Sequence, residues 1–283
     1  MKEYTSFKAG GRASMLVLPK NTEELKRVLK IVAISKKEFL VMGNGSNILV
    51  RDGGFDGIII KLGEGFNQIT VNKEDQTLMV GASALLSRVA RETVEAELTG
   101  FEFASGIPGS MGGALFMNAG AYGWEMSQIV REARVISRDG SREYTLLNDK
   151  MELGYRSSIF EKTGDIIISV KLKLDTGEKE KISETMKNLT ARRNEKQPMN
   201  FPSAGSFFKR PEGNYAGKLI EEAGLKGLMV GDARVSPLHA GFIINTGNAK
   251  AKDIISLMKL VQSTVYDKTG IKLEPEVRII GED

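Results

Sequence analysis

Cysteine is absent from this sequence, and histidine occurs only once, at His239. Without thiolates or clustered imidazoles the chain cannot form disulfides, iron–sulfur clusters or nearly any zinc site. A catalytic mechanism must therefore depend on hydroxyl groups, carboxylates, cations or an organic cofactor. These two absences exclude enzymes with a cysteine nucleophile and nearly all zinc enzymes.

Long apolar runs are missing as well. The longest run near the start is Met15–Leu18, and no stretch approaches the roughly 20 apolar residues that a membrane span requires. We therefore expect a cytoplasmic protein with no signal peptide and no membrane insertion. The formal net charge of +4 is small and scattered along the chain, which argues against nucleic acid as a partner.

What the sequence does contain is the balance of an ordinary globular protein, with 41% apolar and 27% charged residues. Hydrophobic periodicity and turn signals divide it into three units, 1–62, 63–175 and 176–283. The predicted helices are 22–35, 83–98, 178–196, 215–223 and 253–268. The predicted strands are 15–18, 39–42, 48–50, 58–60, 69–72, 77–80, 129–137, 143–147, 166–174, 228–230, 242–245 and 276–280.

The helix predicted at 178–196 carries an apolar stripe formed by Ile182, Met186 and Leu189. The same spacing continues to Arg193 and Lys196, so a face that begins in the core would end in two cations directed into a cleft. The alternative is a frayed last turn, where the helix dipole favours cations. Periodicity alone leaves both interpretations open.

Two glycine-rich segments are candidates for binding phosphate. The segment 43–47 follows a predicted strand directly, although taken alone it is also typical of a plain turn. The segment 104–123 has glycine at six of twenty positions, against 31 in 283 overall, and its interleaved apolar residues exclude a flexible linker. Residues 109–114 should open a short helix whose free amides would face a phosphate. Together the two segments suit the two ends of a pyrophosphate.

The common dinucleotide fingerprints are nevertheless missing. The motif G-x-G-x-x-G fails because Ile48 stands where the third glycine would follow Gly43 and Gly45. The P-loop motif fails because Gly213–Lys218 is one residue too short and is followed by Leu219, where serine or threonine is needed. We therefore expect neither a Rossmann fold nor a P-loop fold. The phosphate site must belong to another architecture.

Six segments, in the same order along the chain, carry a family resemblance. They are GNGSNILV at 43–50, GIPGSMGGALFMNAGAYG at 106–123, GYRSS at 154–158, SAGSFFKRP at 203–211, AGLKG at 223–227 and LEPEVRIIG at 273–281. Together they resemble the UDP-N-acetylenolpyruvoylglucosamine reductase family, in its shorter, type II branch.

The resemblance implies an α+β fold with a vanillyl-alcohol-oxidase/PCMH-type FAD-binding domain of two α+β subdomains and a C-terminal α+β substrate domain. It also implies non-covalent FAD, with NADPH as co-substrate. The substrate would be UDP-N-acetylglucosamine enolpyruvate, reduced to UDP-N-acetylmuramate during peptidoglycan precursor synthesis. We expect this small molecule as the substrate partner of a monomeric enzyme that binds no nucleic acid.

The resemblance also assigns site residues. Those implied to contact FAD are Gly43, Asn44, Gly45, Ser46, Asn47, Gly106, Ile107, Pro108, Gly109, Ser110, Gly112, Gly113, Asn118, Ala119 and Gly120. Those implied to meet the nucleotide sugar are Tyr122, Arg193, Lys196 and Lys209.

Three further residues match the family's catalytic positions. Ser206 matches the proton donor; because a serine hydroxyl is a weak acid it needs help, and Lys209 is the nearest candidate in sequence. Arg156 matches the arginine that steadies an enolate, since its planar guanidinium can bind a carboxylate through two nitrogens. Glu276 matches a second acid at the intermediate. The single His239 is interpreted as structural.

Two positions depart from the family pattern. Arg210 stands where several relatives carry asparagine, and Gly241 stands where a polar residue is common. Both departures concern details of substrate contact.

Three rival functions remain to be compared. The first rival is a penicillin-recognising serine hydrolase, because Ser206–Lys209 matches its S-x-x-K motif and Lys268–Gly270 matches its K-T-G motif. Pro211 closely follows the S-x-x-K match, which should open a helix, and Gly270 is typical of a helix C-cap, whereas K-T-G should lie on a strand. The third motif of these hydrolases, S-D-N, does not occur. A flavin oxidase of the same fold would often attach FAD through cysteine or histidine, and neither occurs in the two glycine segments. A non-catalytic nucleotide-sugar binder is the third rival.

Overall fold

The structure is a computed structural model that describes all residues 1–283. The helices are α1 (Thr22–Ser35), α2 (Leu86–Glu95), α3 (Met111–Phe116), α4 (Met126–Ile129), α5 (Phe160–Thr163), α6 (Lys179–Lys196), α7 (Ala216–Glu222) and α8 (Ala251–Thr269). No helix is both long and apolar enough to cross a membrane.

The eighteen strands are mostly short. They are β1 (Ala13–Val17), β2 (Phe39–Met42), β3 (Ile48–Val50), β4 (Phe55–Lys61), β5 (Ile69–Asn72), β6 (Thr77–Gly81), β7 (Leu98–Thr99), β8 (Gly120–Ala121), β9 (Trp124–Glu125), β10 (Val130–Ile136), β11 (Glu143–Leu147), β12 (Ile166–Lys173), β13 (Asp175–Thr176), β14 (Ser203–Ser206), β15 (Met229–Val230), β16 (Ala233–Val235), β17 (Phe242–Asn245) and β18 (Arg278–Ile280).

The chain folds into two compact units. The C-terminal unit comprises Met1–Ser14, Gly45–Asp56 and Arg193–Asp283, and the central unit comprises Met15–Asn44 and Gly57–Arg192. The first residues of the chain therefore belong to the same unit as the last ninety. The division into three domains at residues 62 and 175 stays a prediction.

The central unit contains a three-stranded sheet in the order β1-β4-β2 and a five-stranded antiparallel sheet in the order β11-β10-β12-β6-β5. Helix α1 begins where the sequence predicts, because the Asn21 side chain accepts a hydrogen bond from the Glu24 amide at 2.9 Å. Leu25, Leu29 and Val32 form its buried face. The helix thereby covers part of the core that the two sheets share.

The C-terminal unit contains an antiparallel sheet in the order β14-β17-β16-β15 and the parallel pair β18-β3. Helix α8 packs its buried face, which includes Ile254, Leu257 and Val261, into the core of this unit. The strands predicted at 129–137 and 143–147 form β10 and β11 in the central unit, and the helix predicted at 253–268 forms α8. Strong local patterning explains both results.

Several predicted boundaries were wrong, including the end of α2 at Glu95 and the start of β4 at Phe55, and the structure gives the reason for two of them. Helix α2 begins at Leu86 and not at Ser83, because the Ser83 hydroxyl donates to the Gly63 carbonyl at 3.0 Å and does not cap a helix. The last strand begins at Arg278 and not at Glu276. The Glu276 amide donates instead to the carbonyl of Phe207, in another segment of the same unit.

Candidate functional site

The two predicted flavin segments meet within the central unit at Gly43 and Asn44. The Asn44 side-chain amide donates to the Pro108 carbonyl at 2.9 Å. A Cβ atom on Gly43 would overlap the Ser110 hydroxyl, and one on Gly113 would lie 3.4 Å from the same oxygen. With glycine at position 43 the Ser110 hydroxyl can therefore point at this loop, whereas a larger residue would force the hydroxyl to turn away.

The Ser110 hydroxyl fits a site for a phosphate-bearing cofactor. Ser110 is 3% exposed, it occupies the N-cap position of α3 without capping it, and its hydroxyl has no hydrogen-bond partner within the protein. A buried hydroxyl without a partner costs free energy unless a ligand or water satisfies it. Its position between the two glycine loops is where the sequence predicts pyrophosphate oxygens, so these residues fit FAD.

Helix α3 opens at Met111 as predicted, but its first amides are not all free. The Met111 amide donates to the Ala84 carbonyl at 2.9 Å, and the Gly112 amide donates to the Ala82 carbonyl at 2.8 Å. The expectation of free amides is therefore wrong at these two positions. A Cβ on Gly112 would lie 2.9 Å from that of Ala82, so this glycine serves close packing between segments.

Asn118 holds the turn that carries Arg156. Its side-chain amide donates to the Gly154 carbonyl at 3.0 Å, and its side-chain oxygen accepts from the Ser127 amide at 2.8 Å. Asn118 as a whole is fully buried, and both polar groups of its side chain are used within the protein.

Arg156 has a backbone φ of 53°, a conformation that non-glycine residues seldom adopt. Its guanidinium is half-buried, donates to the Gly120 carbonyl at 3.3 Å and lies 5.1 Å from the centre of the Tyr155 ring. Strained backbone of this kind clusters at functional sites, where the surroundings enforce it. The backbone conformation of Arg156 and the contacts of its side chain thus both fix its position.

Tyr122 lies at the tip of the tight hairpin formed by β8 and β9. Tyr122 and Gly123 both have positive φ, 57° and 86°, as a two-residue hairpin loop requires. The Tyr122 hydroxyl donates to the Leu189 carbonyl of α6 at 3.0 Å, and the Arg192 guanidinium lies 5.6 Å from the centre of its ring. The phenol is 42% exposed and still accessible to a ligand.

In the C-terminal unit, Gly45 packs against the start of the chain. A Cβ on Gly45 would overlap the Tyr4 carbonyl, and the Gly45 carbonyl accepts from the Ser6 amide at 3.1 Å. The Ser6 hydroxyl has no partner within the protein. Sequence reasoning missed Ser6, because nothing in the local sequence shows that it lies beside a loop forty residues away.

Ser206 is the last residue of β14 and is exposed. The next residue, Phe207, is fully buried and forms two backbone hydrogen bonds: its amide donates to the Gly241 carbonyl, and its carbonyl accepts from the Glu276 amide, each at 2.8 Å. The structure therefore brings Ser206 and the backbone of Glu276 together through one buried residue. Lys209, the predicted helper, forms an ion pair at 3.9 Å with Glu274.

Asn47 joins the first glycine segment to the segment that carries Glu276. Its side-chain amide donates to the Glu276 carbonyl at 3.0 Å, and its backbone carbonyl accepts from the Arg278 amide at 3.0 Å. Glu276 is half-buried. A predicted cofactor residue and a predicted catalytic residue are therefore neighbours within this unit.

The cation stripe of α6 is only partly directed inward. Ile182 is buried, Met186, Leu189 and Arg193 are half-buried, and Lys196 is exposed. The stripe thus extends to Arg193, whereas Lys196 fits the alternative of a solvated last turn.

The remaining predicted flavin residues lie in the same two loops. Among them, Ser46, Gly106, Ile107, Gly109 and Gly120 are half-buried, Pro108 and Gly113 are exposed, and Ala119 is buried. A cavity of about 610 Å³ in the central unit, lined by Phe39, Arg138 and Tyr144 among others, contains none of the predicted site residues.

The structure contradicts the hydrolase alternative. Ser206 ends a strand, whereas S-x-x-K should open a helix. Gly270 is the left-handed C-cap of α8, with φ of 72° and its amide donating to the Tyr266 carbonyl, whereas K-T-G should lie on a strand.

Comparison with known proteins gives matches along the whole chain. The family model for the C-terminal domain of UDP-N-acetylenolpyruvoylglucosamine reductase matches residues 197–280, and a model for an FAD binding domain matches residues 13–144. The chain is 50% identical over 283 residues to the UDP-N-acetylenolpyruvoylglucosamine reductase of Clostridioides difficile (strain 630), covering 100% of this chain and 92% of that protein.

Two further relatives agree. The enzyme of the same name from Alkaliphilus oremlandii (strain OhILAs) is 47% identical, with 100% of this chain and 92% of that protein covered. The crystal structure of UDP-N-acetylenolpyruvylglucosamine reductase from Thermus caldophilus superposes with a TM-score of 0.84 at 37% identity, over 98% of this chain and 96% of that one.

Proposed function

Because the chain belongs to the UDP-N-acetylenolpyruvoylglucosamine reductase family, we propose how its own residues divide the work of that family's reaction. The protein is an FAD-dependent oxidoreductase with an α+β fold that uses NADPH to reduce UDP-N-acetylglucosamine enolpyruvate to UDP-N-acetylmuramate. When bound, FAD supplies the hydride that reduces the substrate, and NADPH is the reductant of the flavin. The proposals below concern the roles of the residues.

The substrate requires three things of the protein. When its methylene carbon gains a hydride, the electron pair of the double bond moves to the carbon next to the carboxylate and spreads into that carboxylate. The enzyme must stabilise this charge, keep the carboxylate in place and deliver a proton to the charged carbon. Preorganised cations and hydrogen-bond donors are the groups that do so most effectively.

Arg156 is the proposed group that binds the substrate carboxylate and stabilises the enolate. Its turn is held by the buried Asn118, so the guanidinium needs little reorganisation when charge develops. A guanidinium also stays charged at every working pH, which suits a permanent counter-ion.

Ser206 is the proposed donor of the proton, and Glu276 the acid beside it. The observation that carries this proposal is the buried Phe207, whose two backbone hydrogen bonds tie the residue after Ser206 to Glu276. Ser206 is exposed and thus accessible to a substrate, and Glu276 is half-buried on a neighbouring segment. The serine hydroxyl, a weak acid, would gain from a carboxyl group in a position to return its proton.

The remaining assignments follow the same premise. FAD would contact the two glycine segments, 43–47 and 106–120, within subdomains 1–62 and 63–175, and would be bound non-covalently. Tyr122, Arg193, Lys196 and Lys209 would contact the nucleotide sugar, whose phosphates attract cations. The third domain, 176–283, would hold that substrate.

We also propose that the enzyme works as a monomer in the cytoplasm, with no nucleic acid as a partner. NADPH and a UDP-sugar are polyanions that do not enter a bilayer unaided, so an enzyme consuming both belongs where both are made. Light scattering of the purified holoenzyme tests the monomer, and a dimeric mass would contradict it.

Ser206→Ala tests the assignment that matters most. We expect reduction of the bound flavin by NADPH to keep its rate, and its reoxidation by UDP-N-acetylglucosamine enolpyruvate to slow by roughly 10²- to 10⁴-fold, because one proton donor is lost. Stopped-flow absorbance of the flavin follows both half-reactions separately.

Ser203→Ala is the matched control, since Ser203 lies on the same strand and is half-buried. Both of its half-reactions should stay at the wild-type rate. Equal slowing of both half-reactions in Ser206→Ala would contradict the assigned role.

A further inference from the structure

A continuous row of hydrogen bonds crosses the C-terminal unit from its single histidine to the first glycine segment. The Gly241 amide donates to Nδ1 of His239 at 3.1 Å, and the Phe207 amide donates to the Gly241 carbonyl at 2.8 Å. The Glu276 amide then donates to the Phe207 carbonyl at 2.8 Å, and the Asn47 side-chain amide donates to the Glu276 carbonyl at 3.0 Å. Each bond shares a residue with the next, so together they fix how these segments lie relative to one another.

The imidazole of His239 is fixed from several sides. The Ser236 hydroxyl accepts from the His239 amide at 3.2 Å, and the Phe242 ring meets the imidazole edge to face at 5.0 Å. A Cβ added to Gly217 would lie 3.2 Å from Cε1 of the ring, and one added to Gly241 would lie 3.0 Å from it. A side chain at either position would press against the ring, so the two glycines let it pack this closely.

The hydrogen bond from Gly241 defines the chemical state of the ring. An imidazole nitrogen accepts a hydrogen bond only when it carries no proton, so neutral His239 must carry its proton on Nε2. A second proton on Nδ1 would remove the acceptor and oppose two N–H groups. The first link of the row therefore exists only while His239 is neutral.

We propose that neutral His239 is a positioning residue that holds Ser206 and Glu276 in their reactive arrangement through Gly241 and Phe207. The inference rests on the proposed function, since it assumes that these two residues act on the substrate. Ser206 pairs directly with Phe242 across β14 and β17, next to the Gly241 link, so a shift of the 239–241 segment would move it. Small displacements of reacting groups have large effects on rate.

Burial of the ring favours its neutral state. The hydrogen bond that the ring forms with the backbone of His239 itself raises the pKa of His239; of the two nearby charges, Lys226 lowers that pKa and Glu221 raises it. Burial has the largest effect and lowers the pKa of His239 below its ordinary value of 6.5. The acceptor therefore persists at neutral pH and is lost as the pH falls.

The tautomer provides the first test. Because His239 is the only histidine, ¹⁵N-histidine labelling of the holoenzyme gives one unambiguous pair of imidazole nitrogen signals. We expect an unprotonated Nδ1 and a protonated Nε2 at neutral pH. A proton on Nδ1 would overturn the inference.

Two variants provide the second test. In His239→Asn the side-chain oxygen can replace Nδ1 as the acceptor and cannot be protonated, whereas His239→Leu offers no acceptor. We expect flavin reoxidation by the substrate to slow about tenfold in His239→Leu and to be restored in His239→Asn. Reduction of the flavin by NADPH should be the same in the wild type and in both variants.

The pH profile separates positioning from simple structural support. Reoxidation in the wild type should slow as the pH falls through the pKa that the nitrogen signals report for His239, and His239→Asn should lose this acid limb. Equal rates in His239→Asn and His239→Leu, or an acid limb that persists in His239→Asn, would overturn the inference. A rise in KM alone would do so too, because it would indicate direct contact with the substrate.

Ser206→Ala, measured in the same experiments, distinguishes failure of the proposed catalytic roles from failure of the positioning role of His239. If Ser206→Ala reoxidises its flavin as fast as the wild type, the proposed function fails and the inference fails with it. If Ser206→Ala is slow and the His239 variants match the wild type, only the positioning role is wrong.

Discussion

At Gly43 the loop after β2 has room for a hydrogen atom but not for a methyl group. The Ser110 hydroxyl that would be overlapped is the same buried group that has no partner within the protein. Without that hydroxyl oxygen, the nearest atom to a Cβ at position 43 is the Ser110 Cβ at 3.6 Å, an ordinary contact. The same oxygen atom thus limits which side chain fits at position 43 and is the predicted contact with the cofactor.

Gly43→Ala and Ser110→Ala test both functions of that oxygen. We expect Gly43→Ala to lower the free energy of unfolding by about 1–3 kcal/mol through overpacking, and the double variant to recover most of it. Ser110→Ala, alone or combined, should weaken FAD binding because the hydroxyl is gone. Urea unfolding and flavin fluorescence titration measure the two quantities, and a double variant as unstable as Gly43→Ala would contradict the overlap.

The hydrogen bonds around Asp139 predict a lowered pKa for its carboxyl group. The Ser137 hydroxyl, then the amide and hydroxyl of Ser141, donate to its carboxylate and lower its pKa from 3.8 to about 2. Because the folded pKa is depressed, this stabilisation is present above pH 3.8 and is lost as the pH falls through about 2.

Ser137→Ala should move the pKa of Asp139 back toward its ordinary value, as followed by ¹³C NMR of the carboxyl group. In Asp139→Asn, stability should fall less steeply than in the wild type as the pH is lowered from about 4 toward 2. An Asp139 pKa that is the same in Ser137→Ala and wild type would contradict the assigned cause.

Among the elements, α8 depends on a residue far away in the sequence. Its N-cap, Lys250, has no ordinary capping side chain for the first amides. Asp52 supplies the acceptors instead, with one carboxylate oxygen 2.9 Å from the Ala251 amide and the other 2.8 Å from the Lys252 amide. A negative charge at this end of the helix is also favoured by the helix dipole.

Asp52→Ala should therefore lower the free energy of unfolding by about 1 kcal/mol, within the range known for lost N-caps. Asp267→Ala is the matched control, because Asp267 is an exposed aspartate in the last turn of the same helix. Its removal should leave stability unchanged or slightly raised. Equal losses in the two variants, measured by urea unfolding, would contradict capping by Asp52.

Elements with a strong local signal were predicted well, and the others were not. The asparagine cap of α1, the length of α6 and the glycine cap of α8 depend on residues within a few positions of one another. The starts of α2 and β18 were predicted wrongly. Ser83 bonds to Gly63, and Glu276 bonds to Phe207, and neither partner is near in sequence.

For the whole molecule, FAD is expected to act as a stabilising ligand. A ligand that binds only the folded state at 100 times its dissociation constant adds about 2.7 kcal/mol, which for a chain of this size raises Tm by roughly 5–10 °C. The proposed contacts are with the phosphates, so riboflavin, which lacks them, should raise Tm far less at the same concentration. Thermal unfolding of the apoprotein with each ligand measures this, and equal shifts would contradict a phosphate-centred site.

The sequence by itself determined the regular elements with local patterns, because periodicity and caps are encoded by neighbouring residues. The α+β fold class, the family and the cofactor followed from the sequence through the resemblance that six collinear segments carry. Only the tertiary structure decided which atoms meet. It showed that the Met111 and Gly112 amides are used within the protein, that Asn118 holds the Arg156 turn, and that His239 is linked to Glu276. Such contacts depend on the register between segments far apart in the chain, and local sequence does not specify that register.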